Sequence, residues 1–567
     1  MIGKLLAALL LLPAPAVAAP AVAADDPYDV LVFSRTAGFR HDAIATGIQT
    51  VRELGAANGF SVTATEDPAA FTTAGLSGYE AVIFLNTTGD VLNATQQTAF
   101  ESYIRGGGGY VGVHAAADTE YDWPFYGQLV GAYFASHPAI QPAAVAVEDR
   151  AHAATAHLPQ RWNRTDEWYN YRTNPRSTAH VLATLDESSY SGGGMGADHP
   201  HVWCKTYEGG RSFYTGGGHT IESYADPAFR AHLLGGIRYA AKAANADCRP
   251  ETGYTALYNG ATTGWSQAGP GAFTNTDATL TSTGGLGLLW YSQKQFTDYS
   301  LKLDWKLAGD DNSGVFIGFP PSADPWSAVD NGYEVQIDAT DAADRTTGAV
   351  YSFQSADIAA RDAALNPPGE WNTYELLVEG EHLQVFLNGT KINDFTNTDP
   401  VRSLAGHIGL QNHGDGDDAS FRNIRIKELG GTPPPGPVTG PIVGLANKCL
   451  DVAGASNWDG TKVQLYTCNG SNAQQWTATA NSTGTIKALG KCLDVSAGGT
   501  ANGTRVQLWT CNGSGAQNWS AGADKTLRNP QSGRCLDVSQ NNPADGQQVH
   551  IWDCLGAANQ LWTLPSS

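Results

Sequence analysis

A repeat of 43 residues governs the last 125 residues of the chain. The tetrapeptide Cys-Leu-Asp-Val begins at Cys449, Cys492 and Cys535, and each copy carries a second cysteine 19 residues later. Three short units of this kind cannot each bury an apolar face alone, so they must share one core. The repeat therefore predicts a threefold β-trefoil over residues 441–565.

Each repeat is expected to contain one disulfide. The predicted pairs are Cys449–Cys468, Cys492–Cys511 and Cys535–Cys554. A bridge that closes a loop of about 20 residues contributes roughly 3 kcal/mol on the chain-entropy estimate. The two other cysteines, Cys204 and Cys248, are expected to pair with each other, since cysteines in an oxidising compartment are normally bonded.

The start of the chain and its charge favour such a compartment. Lys4 precedes an apolar run that ends in small residues, the layout of a secretory signal peptide over residues 1–24. No later stretch approaches the ~18–20 apolar residues of a membrane span. The net charge of −21, from 34 Lys+Arg against 55 Asp+Glu, argues against nucleic acid and membranes as partners. We expect a secreted, extracellular protein.

The repeats resemble those of the ricin B-type lectin family from about Pro441 to the end, with Cys-Leu-Asp-Val and Gln-x-Trp in every copy. The resemblance implies an oligo- or polysaccharide partner and one sugar site per repeat, where a carboxylate accepts hydrogen bonds from vicinal hydroxyls and a ring covers the apolar sugar face. The implied residues are Asp451, Gln464 and Tyr466, then Asp494, Gln507 and Trp509, then Asp537, His550, Trp552, Asn559 and Gln560. Ala473 and Ala516 replace Asn559 in the first two repeats, so those sites are expected to be weaker. A purely structural role of these motifs in the trefoil remains open.

The Pro/Gly-rich residues 430–440 are interpreted as a tether for this module.

Residues 27–244 alternate apolar β-type runs with helical patterns. DVLVFS, YEAVIFLN and GYVGVH alternate with helices near 43–57 and 95–105, and HVWCKTY and RSFYTG precede a helix near 226–241. This alternation predicts a doubly wound α/β domain with a largely parallel sheet. In such domains ligands bind beyond the carboxyl ends of the strands.

Three histidines follow strands of this predicted sheet, namely His41, His114 and His219. Imidazoles that converge at one sheet edge suit a divalent metal or proton transfer, so all three are candidate metal ligands and His114 and His219 are also candidate catalytic residues. Glu222 and Asp118 are expected to orient the rings as acceptors. A hydrogen-bonded structural role for each histidine stays open.

The segments TAGFRHDAI, GGGGYVGVHAAADTEYDWPFY and GHTIESYADPAFRAHLLGGIRYAA resemble the ThuA-like (trehalose utilisation) family. The resemblance implies a glutamine-amidotransferase-like fold and the processing of sugars or keto sugars. His114 stands at the strand-to-helix elbow where an amidotransferase carries its nucleophilic cysteine. Glutamine hydrolysis through a thioester is therefore not expected.

Residues 252–429 change to period-two strands, among them SLKLDWKL, SGVFIGF, GYEVQID, TYELLVE and HIGLQNH. Many short alternating strands predict an antiparallel β-sandwich of the jelly-roll type. In GYEVQID, Tyr333, Val335 and Ile337 face one way, so Glu334, Gln336 and Asp338 must line the other face. Glu334 and Asp338 are candidate acid and base for glycosidic bond cleavage.

The strand GYEVQID is similar to the Glu-x-Asp-x-Glu strand of family 16 glycoside hydrolases, from which Gln336 and Asp338 depart. YNGATTGW, GLGLLWY, DNSGVFIGFP, RTTGAVYSFQ, GEWNTYEL and GLQNHG resemble the 3-keto-disaccharide hydrolase-like domain more fully. The resemblance implies glycoside substrates, including sugars oxidised at the 3-position. Asn312, Gln336, Gln411 and His413 are the expected polar substrate contacts. A solvent-facing or cation-binding role for the two carboxylates is the alternative.

The sequence thus predicts a secreted multidomain protein that hydrolyses or eliminates glycosidic bonds and is targeted to polysaccharide by its last module. A carbohydrate-binding or scavenging protein without turnover is the alternative from another functional class. The two hypotheses differ in the role that they give to Glu334 and Asp338.

Overall fold

The structure is a computed structural model that describes residues 27–321, 323–399, 401–429, 438–478, 483–512, 514–521 and 525–565. The predicted signal peptide and most of the predicted tether lie outside these residues. The chain divides after Leu429 into two compact units. Within the described ranges, no helix combines the length and apolarity needed to cross a membrane.

The first region contains eleven strands and five α-helices. The strands are β1 (Tyr28–Phe33), β2 (Phe60–Thr65), β3 (Ala81–Leu85), β4 (Gly109–Val113), β5 (Phe134–Ser136), β6 (Gln141–Val147), β7 (Arg161–Asp166), β8 (Asn170–Tyr171), β9 (His180–Leu185), β10 (Pro200–Tyr207) and β11 (Gly210–Thr215). The helices are α1 (Ile44–Asn58), α2 (Thr73–Leu76), α3 (Ala94–Arg105), α4 (Pro124–Val130) and α5 (Pro227–Ala240).

Nine of these strands form one sheet in the order β2-β1-β3-β4-β11-β10-β9-β6-β7. The first five are parallel, and β10, β9, β6 and β7 continue the sheet in antiparallel pairs. The expectation of a largely parallel sheet therefore describes one half of it. The direction changes at β10 and β11 because Glu208 and Gly209, both with positive φ, form a two-residue hairpin between them.

Helices cover both faces of this sheet. Alternate residues of β1 belong to the cores on the two faces of the sheet. Val30 and Val32 lie in the core under α1 and α5. Leu31 and Phe33 lie in the core under α2, α3 and α4. The region is thus a doubly wound α/β domain, as the alternation of strands and helices predicts.

The second region is an antiparallel sandwich whose described residues include two α-helices. Its strands are β12 (Thr255–Tyr258), β13 (Trp265–Ala268), β14 (Ala272–Thr276), β15 (Thr279–Thr283), β16 (Gly287–Tyr291), β17 (Tyr299–Leu307), β18 (Asn312–Phe319), β19 (Tyr333–Asp338), β20 (Asn372–Glu379), β21 (His382–Leu387), β22 (Thr390–Thr396), β23 (His407–Asn412) and β24 (Ala419–Glu428). Its helices are α6 (Trp326–Asn331) and α7 (Ile358–Ala364).

One sheet runs β14-β15-β24-β17-β20-β21-β22, with β12 also paired to β24, and the other runs β13-β16-β23-β18-β19. The apolar faces of both sheets form one core. Tyr333, Val335 and Ile337 belong to this core, which confirms the predicted alternation of β19. Its polar residues therefore lie on the opposite face of the smaller sheet.

The described residues of the second compact unit form twelve short strands. They are β25 (Val438–Gly440), β26 (Cys449–Val452), β27 (Thr461–Tyr466), β28 (Trp476–Ala478), β29 (Thr483–Thr485), β30 (Lys487–Ala488), β31 (Lys491–Val495), β32 (Val506–Trp509), β33 (Asn518–Ala521), β34 (Leu527–Asn529), β35 (Arg534–Val538) and β36 (Gln547–Trp552).

A ring of equivalent hydrogen bonds joins the three repeats of this unit. The amides of Gly460, Gly503 and Gly546 each donate at 2.9 Å to a carbonyl of the next repeat, at Leu508, Ile551 and Leu465. Trp476, Trp519 and Trp562 are buried in the shared core and donate their indole N–H groups to the backbone carbonyls of Leu450, Leu493 and Leu536. The threefold trefoil predicted from the repeat is therefore present.

All eight cysteines are paired as the sequence predicts. The bridges are Cys204–Cys248, Cys449–Cys468, Cys492–Cys511 and Cys535–Cys554. The last three each bind β26, β31 or β35 to the end of the following strand, so every trefoil repeat carries the same covalent constraint.

Candidate functional site

Three histidines and one glutamate converge at the carboxyl edge of the α/β sheet. His41 follows β1, His114 follows β4, and His219 follows the neighbouring strand β11. The ring centroids of the three histidines lie 5.0–5.1 Å from one another. Glu167, directly after β7, completes a set whose potential ligand atoms all lie within 4.8 Å of each other.

The backbone at His114 holds its ring towards this cluster. Its φ of 49° lies in the left-handed region, which non-glycine residues occupy at a cost in free energy. The ring is fully buried and its Nδ1 lies 2.9 Å from the carbonyl oxygen of Gly216. Because a carbonyl can only accept, Nδ1 carries the proton and a neutral ring keeps its lone pair on Nε2.

Two other potential ligand atoms lie near that lone pair. His114 Nε2 lies 3.2 Å from His219 Nδ1 and 3.4 Å from Glu167 Oε2, and the last two atoms are 3.1 Å apart. Either a proton on His219 or a cation can hold three such atoms together. Atoms bound about 2.0–2.2 Å from a divalent cation are about 2.8–3.6 Å apart in octahedral or tetrahedral coordination. The observed triangle fits that range.

The charges within the cluster reinforce one another. Burial opposes ionisation of Glu167, but its interactions with the imidazoles of His114 and His219 lower the pKa of its carboxyl well below the usual range. Burial would lower the pKa of His219, and the hydrogen bond and charge of Glu167 raise it overall. Burial, together with the charges of the other two imidazoles, lowers the pKa of His41 to about 3. His41 is therefore neutral at physiological pH, and its buried Nδ1 has no partner among the described residues.

The groups that orient the rings differ from the predicted ones. Asp118 accepts a hydrogen bond from the Tyr121 hydroxyl at 2.6 Å, and Glu222 is exposed. Glu167 takes the role instead, and its Oε1 also lies 3.0 Å from His137 Nδ1. The buried carboxylate of Asp166 fixes the loop after β11 by accepting hydrogen bonds from the backbone amides of Gly218 and His219.

The predicted polar residues of the sandwich lie together on one face of its smaller sheet. Antiparallel register places Asn312 opposite Asp338, Gly314 opposite Gln336 and Phe316 opposite Glu334. Gln411 on β23 shares this face, because Val315 and Leu410 are paired. Four buried acceptor oxygens have no hydrogen-bond partner in the described chain, namely Asn312 Oδ1, Glu334 Oε1, Gln336 Oε1 and Gln411 Oε1.

The two carboxylates of this face differ in their surroundings. Burial raises the pKa of Glu334 to about 8, and the Gln411 amide offsets only part of the effect. Asp338 accepts from Asn312 Nδ2 at 2.9 Å and from the backbone amides of Thr340 and Asp341, also at 2.9 Å. Glu334 is therefore a neutral acid near pH 7, whereas Asp338 is a buried acceptor that is hydrogen-bonded to three donors at the end of β19.

The exposure and the hydrogen-bond partner of His413 differ from those of this group. Its side chain is exposed and its Nδ1 lies 2.8 Å from Asp417 Oδ2. The predicted substrate contacts that share a buried face with Glu334 are thus Asn312, Gln336 and Gln411.

The predicted sugar sites of the trefoil have the same construction in each repeat. Asp451 accepts from Gln464 at 2.9 Å and from Gln474 at 3.0 Å, and Asp494 accepts from Gln507 at 3.0 Å and Gln517 at 3.1 Å. The glutamines of the Gln-x-Trp motif are fully buried, so they orient the aspartates. Tyr466, Trp509 and Trp552 expose 37%, 38% and 39% of their surface, as rings that stack on ligands must.

The third repeat holds its aspartate more tightly. His550 Nε2 lies 2.9 Å from Asp537 Oδ1, and Asn559 and Gln560 donate to Asp537 Oδ2 at 2.8 and 2.9 Å. Ala473 and Ala516 stand at the position of Asn559 in the other two repeats. Gln474 and Gln517, which the sequence interpretation left out of the first two sites, are the equivalents of Gln560.

Three family models match the chain, one after another. Residues 29–240 match ThuA, described as trehalose utilisation, residues 253–427 match the 3-keto-alpha-glucoside-1,2-lyase-like domain, and residues 438–562 match the ricin-type beta-trefoil lectin domain. The chain is thus a multidomain protein of the carbohydrate-binding or carbohydrate-processing class. Region by region, it is similar to the ThuA family, the 3-keto-disaccharide hydrolase-like family and the ricin B lectin family.

Solved structures resemble single regions of the chain. A ThuA-like protein from Bacteroides uniformis is 26% identical, covering 39% of this chain and 94% of its own, with a TM-score of 0.35. A protein from Parabacteroides distasonis described as a glycosyl hydrolase is 24% identical, covering 31% and 100%, with a TM-score of 0.27. The designed threefold symmetric protein ThreeFoil is 31% identical, covering 22% and 95%, with a TM-score of 0.21. No curated protein matches the chain.

Proposed function

We propose that the protein is a secreted enzyme that cleaves glycosidic bonds, by hydrolysis or elimination, in glycosides that include 3-keto sugars. Its sandwich domain holds the reacting glycoside and its trefoil holds the enzyme on polysaccharide. The pairing of all eight cysteines in disulfides supports an oxidising, extracellular location.

The observation that carries this proposal is the set of unpartnered acceptors on the sandwich face. Buried polar atoms are nearly always hydrogen-bonded, so the three unpartnered amide oxygens beside the protonated carboxyl of Glu334 suit a ligand rich in hydrogen-bond donors. Sugar hydroxyls are such donors. Because the four oxygens are shielded from solvent, entry of a sugar requires local opening around this face.

Glu334 is the proposed acid. Its protonated carboxyl gives a proton to the glycosidic oxygen as the C1–O bond breaks. In a 3-keto sugar the carbonyl acidifies the proton on C2, so removal of that proton and departure of the C1 oxygen leave a C1=C2 double bond, to which water adds. Asp338 is the proposed base, since its three protein donors leave one acceptor position free.

Amide substitutions test these roles. Glu334→Gln and Asp338→Asn are each expected to lower product release from native or 3-keto glucosides by about 10²–10⁴-fold. Glu379→Gln, an exposed acid on β20, serves as the matched control and should leave the rate unchanged. Product release from the Glu334→Gln, Asp338→Asn double variant at the original rate would refute the proposed roles of the two carboxylates. Absence of product release by the unmodified protein would favour the alternative of a binding protein without turnover.

We also propose that the histidine cluster binds a divalent cation. His114 Nε2, His219 Nδ1 and Glu167 Oε2 would hold it, with His41 as a fourth donor. The unpartnered Nδ1 of buried His41 supports a cation over a shared proton, because a proton on His219 leaves that nitrogen unsatisfied. A bound cation would polarise a carbonyl or hydroxyl oxygen of a sugar.

Elemental analysis of the purified protein tests the metal site without any assay of activity. We expect about one equivalent of a divalent metal in the unmodified protein and loss of that metal in His114→Ala and Glu167→Gln. His382→Ala removes an exposed histidine that pairs with Asp394 and should retain the metal. Absence of stoichiometric metal from the unmodified protein refutes the site.

A further inference from the structure

Trp458 is the most exposed tryptophan of the described chain, with 79% of its surface accessible. It lies in the turn that precedes β27 in the first trefoil repeat. A large exposed ring has no role in the core, so its surroundings decide what it does.

This turn is held rigidly against the second repeat. The carbonyl of Trp458 accepts from the amide and hydroxyl of Thr461 at 3.1 and 2.6 Å. The carboxylate of Asp459 accepts from the Thr510 amide at 2.7 Å and from Lys491 at 2.5 Å. Thr510 directly follows Trp509, so the backbone that carries Trp458 is fixed to the backbone that carries the aromatic ring of the second sugar site.

The turn also touches that ring. A side chain at Gly460 would lie 3.8 Å from Trp509 Cζ3 and 3.9 Å from Gln507 Oε1. The equivalent turn of the second repeat approaches the third site in the same way, with Gly503 near Trp552. Each sugar site therefore borders the turn of the preceding repeat.

The three turns differ at the position of Trp458. Ala501 and Ala544 occupy it in the second and third repeats. The site of Asp494 and Trp509 is consequently bordered by a turn that carries a second exposed aromatic ring. The same site lacks an equivalent of Asn559, so it holds a single sugar with fewer hydrogen bonds than the third site.

We infer that the second trefoil site binds an oligosaccharide of two or more residues, with one sugar over Trp509 and Asp494 and the next over Trp458. Two aromatic faces on a rigid backbone add stacking area at little entropic cost. This inference rests on the proposed lectin role of the trefoil and specifies the ligand length at one of its sites.

The test isolates the second site in the full chain. All variants carry Asp451→Asn and Asp537→Asn, which disable the first and third sites. Calorimetric titrations compare galactose, xylose and glucose with the tetrasaccharides β-1,4-galactotetraose, xylotetraose and cellotetraose. The additional substitutions are Trp458→Ala, Trp509→Ala and, as a control, Leu555→Ala, which removes an exposed apolar side chain from the third repeat.

We expect one tetrasaccharide to bind at least about tenfold more tightly than its monosaccharide. Trp458→Ala should remove about tenfold of tetrasaccharide affinity, the scale of a truncated aromatic contact, and leave monosaccharide affinity unchanged. Trp509→Ala should weaken both ligands, and Leu555→Ala neither. If Trp458→Ala leaves the tetrasaccharide affinity unchanged while Trp509→Ala abolishes monosaccharide binding, the extended site is refuted and the lectin role stands. If neither this parent nor the unmodified protein with all three sites intact binds any of the sugars, both the extended site and the lectin role are refuted.

Discussion

At the residue scale, the acidity of Glu334 depends on a glycine across the strand pair. A methyl group at Gly314 would collide with the Glu334 side chain, so glycine lets the carboxyl lie flat on the sheet between Gln336 and Gln411. Burial in that position favours the neutral form of the carboxyl. The sheet thus supplies a proton donor at a pH where an exposed glutamate would be ionised.

The pH dependence of activity and stability tests the state of Glu334. A folded pKa of about 8 against an unfolded value of about 4.5 means that the native state binds the proton more tightly, so stability falls as pH rises through this window. We expect turnover to decline above about pH 8, and Glu334→Gln to flatten the fall in denaturant midpoint between pH 5 and pH 8. A midpoint that falls equally in the variant and the parent would assign the effect to other groups.

At the element scale, the convergence of the three histidines follows from the parallel strands. β1, β4 and β11 are recognisable as strands in the sequence, and parallel strands end at the same sheet edge, so His41, His114 and His219 could be placed together in advance. Glu167 could not, because it follows β7 at the far antiparallel edge of the sheet. The segment RWNRTD has no apolar alternation that predicts a strand, and the return of Glu167 to the cluster depends on pairings distant in sequence.

The sandwich shows a similar division. The alternation of β19 predicts that Glu334, Gln336 and Asp338 share a face. It does not predict that this face is buried. Burial arises where the segment after β19 returns along its edge, with the Gly348 amide donating to the backbone carbonyl of Gln336 and the Tyr351 amide to that of Glu334. Such a return depends on long-range backbone pairing that local patterns do not encode.

The contact between the α/β domain and the sandwich contains a buried charge network that stabilises both. Asp149 Oδ2 lies 2.7 Å from His180 Nε2, and the charge of Arg425 in the sandwich acts on Asp149. Burial opposes both ionisations, yet the mutual hydrogen bond lowers the pKa of Asp149 and raises that of His180. The pair therefore contributes most to the free energy of unfolding above the unfolded pKa of an aspartate and below that of a histidine, between about pH 4 and 6.5.

Asp149→Asn is expected to lower the free energy of unfolding of the first unit by about 3–5 kcal/mol at pH 5–6, since it leaves buried cationic groups without their partner. The loss should shrink as pH rises through the raised pKa of His180. Asp394→Asn breaks a similar histidine–aspartate pair that is exposed on the sandwich surface, at 2.6 Å, and little change is expected there. Denaturant unfolding of both variants measures the difference, and equal midpoints would contradict a role of the buried pair.

At the scale of the whole molecule, the division into two compact units follows from two kinds of folding information. The trefoil is specified by its repeat, three equivalent disulfides and a closed ring of hydrogen bonds, all of which are local to residues 438–565. The α/β domain and the sandwich have separate sequence patterns, yet contacts such as Arg150 with Asp277, and Arg238 with Glu370, join them in one unit. The sequence therefore predicts the number of folded regions but not which of them share an interface.

A chain that ends at Leu429 tests the division of labour. Because the trefoil core contains only its own residues, its removal should leave the thermal unfolding of the first unit and the cleavage of small soluble glycosides unchanged within about twofold. Retention on a polysaccharide column should disappear, since the aspartate and aromatic pairs of the trefoil are gone. A control chain retains the trefoil with Asp451→Asn, Asp494→Asn and Asp537→Asn, and it should lose retention while its disulfides remain intact. Loss of soluble-substrate cleavage in the shortened chain alone would place part of the catalytic machinery in the trefoil and contradict its role as a carbohydrate anchor.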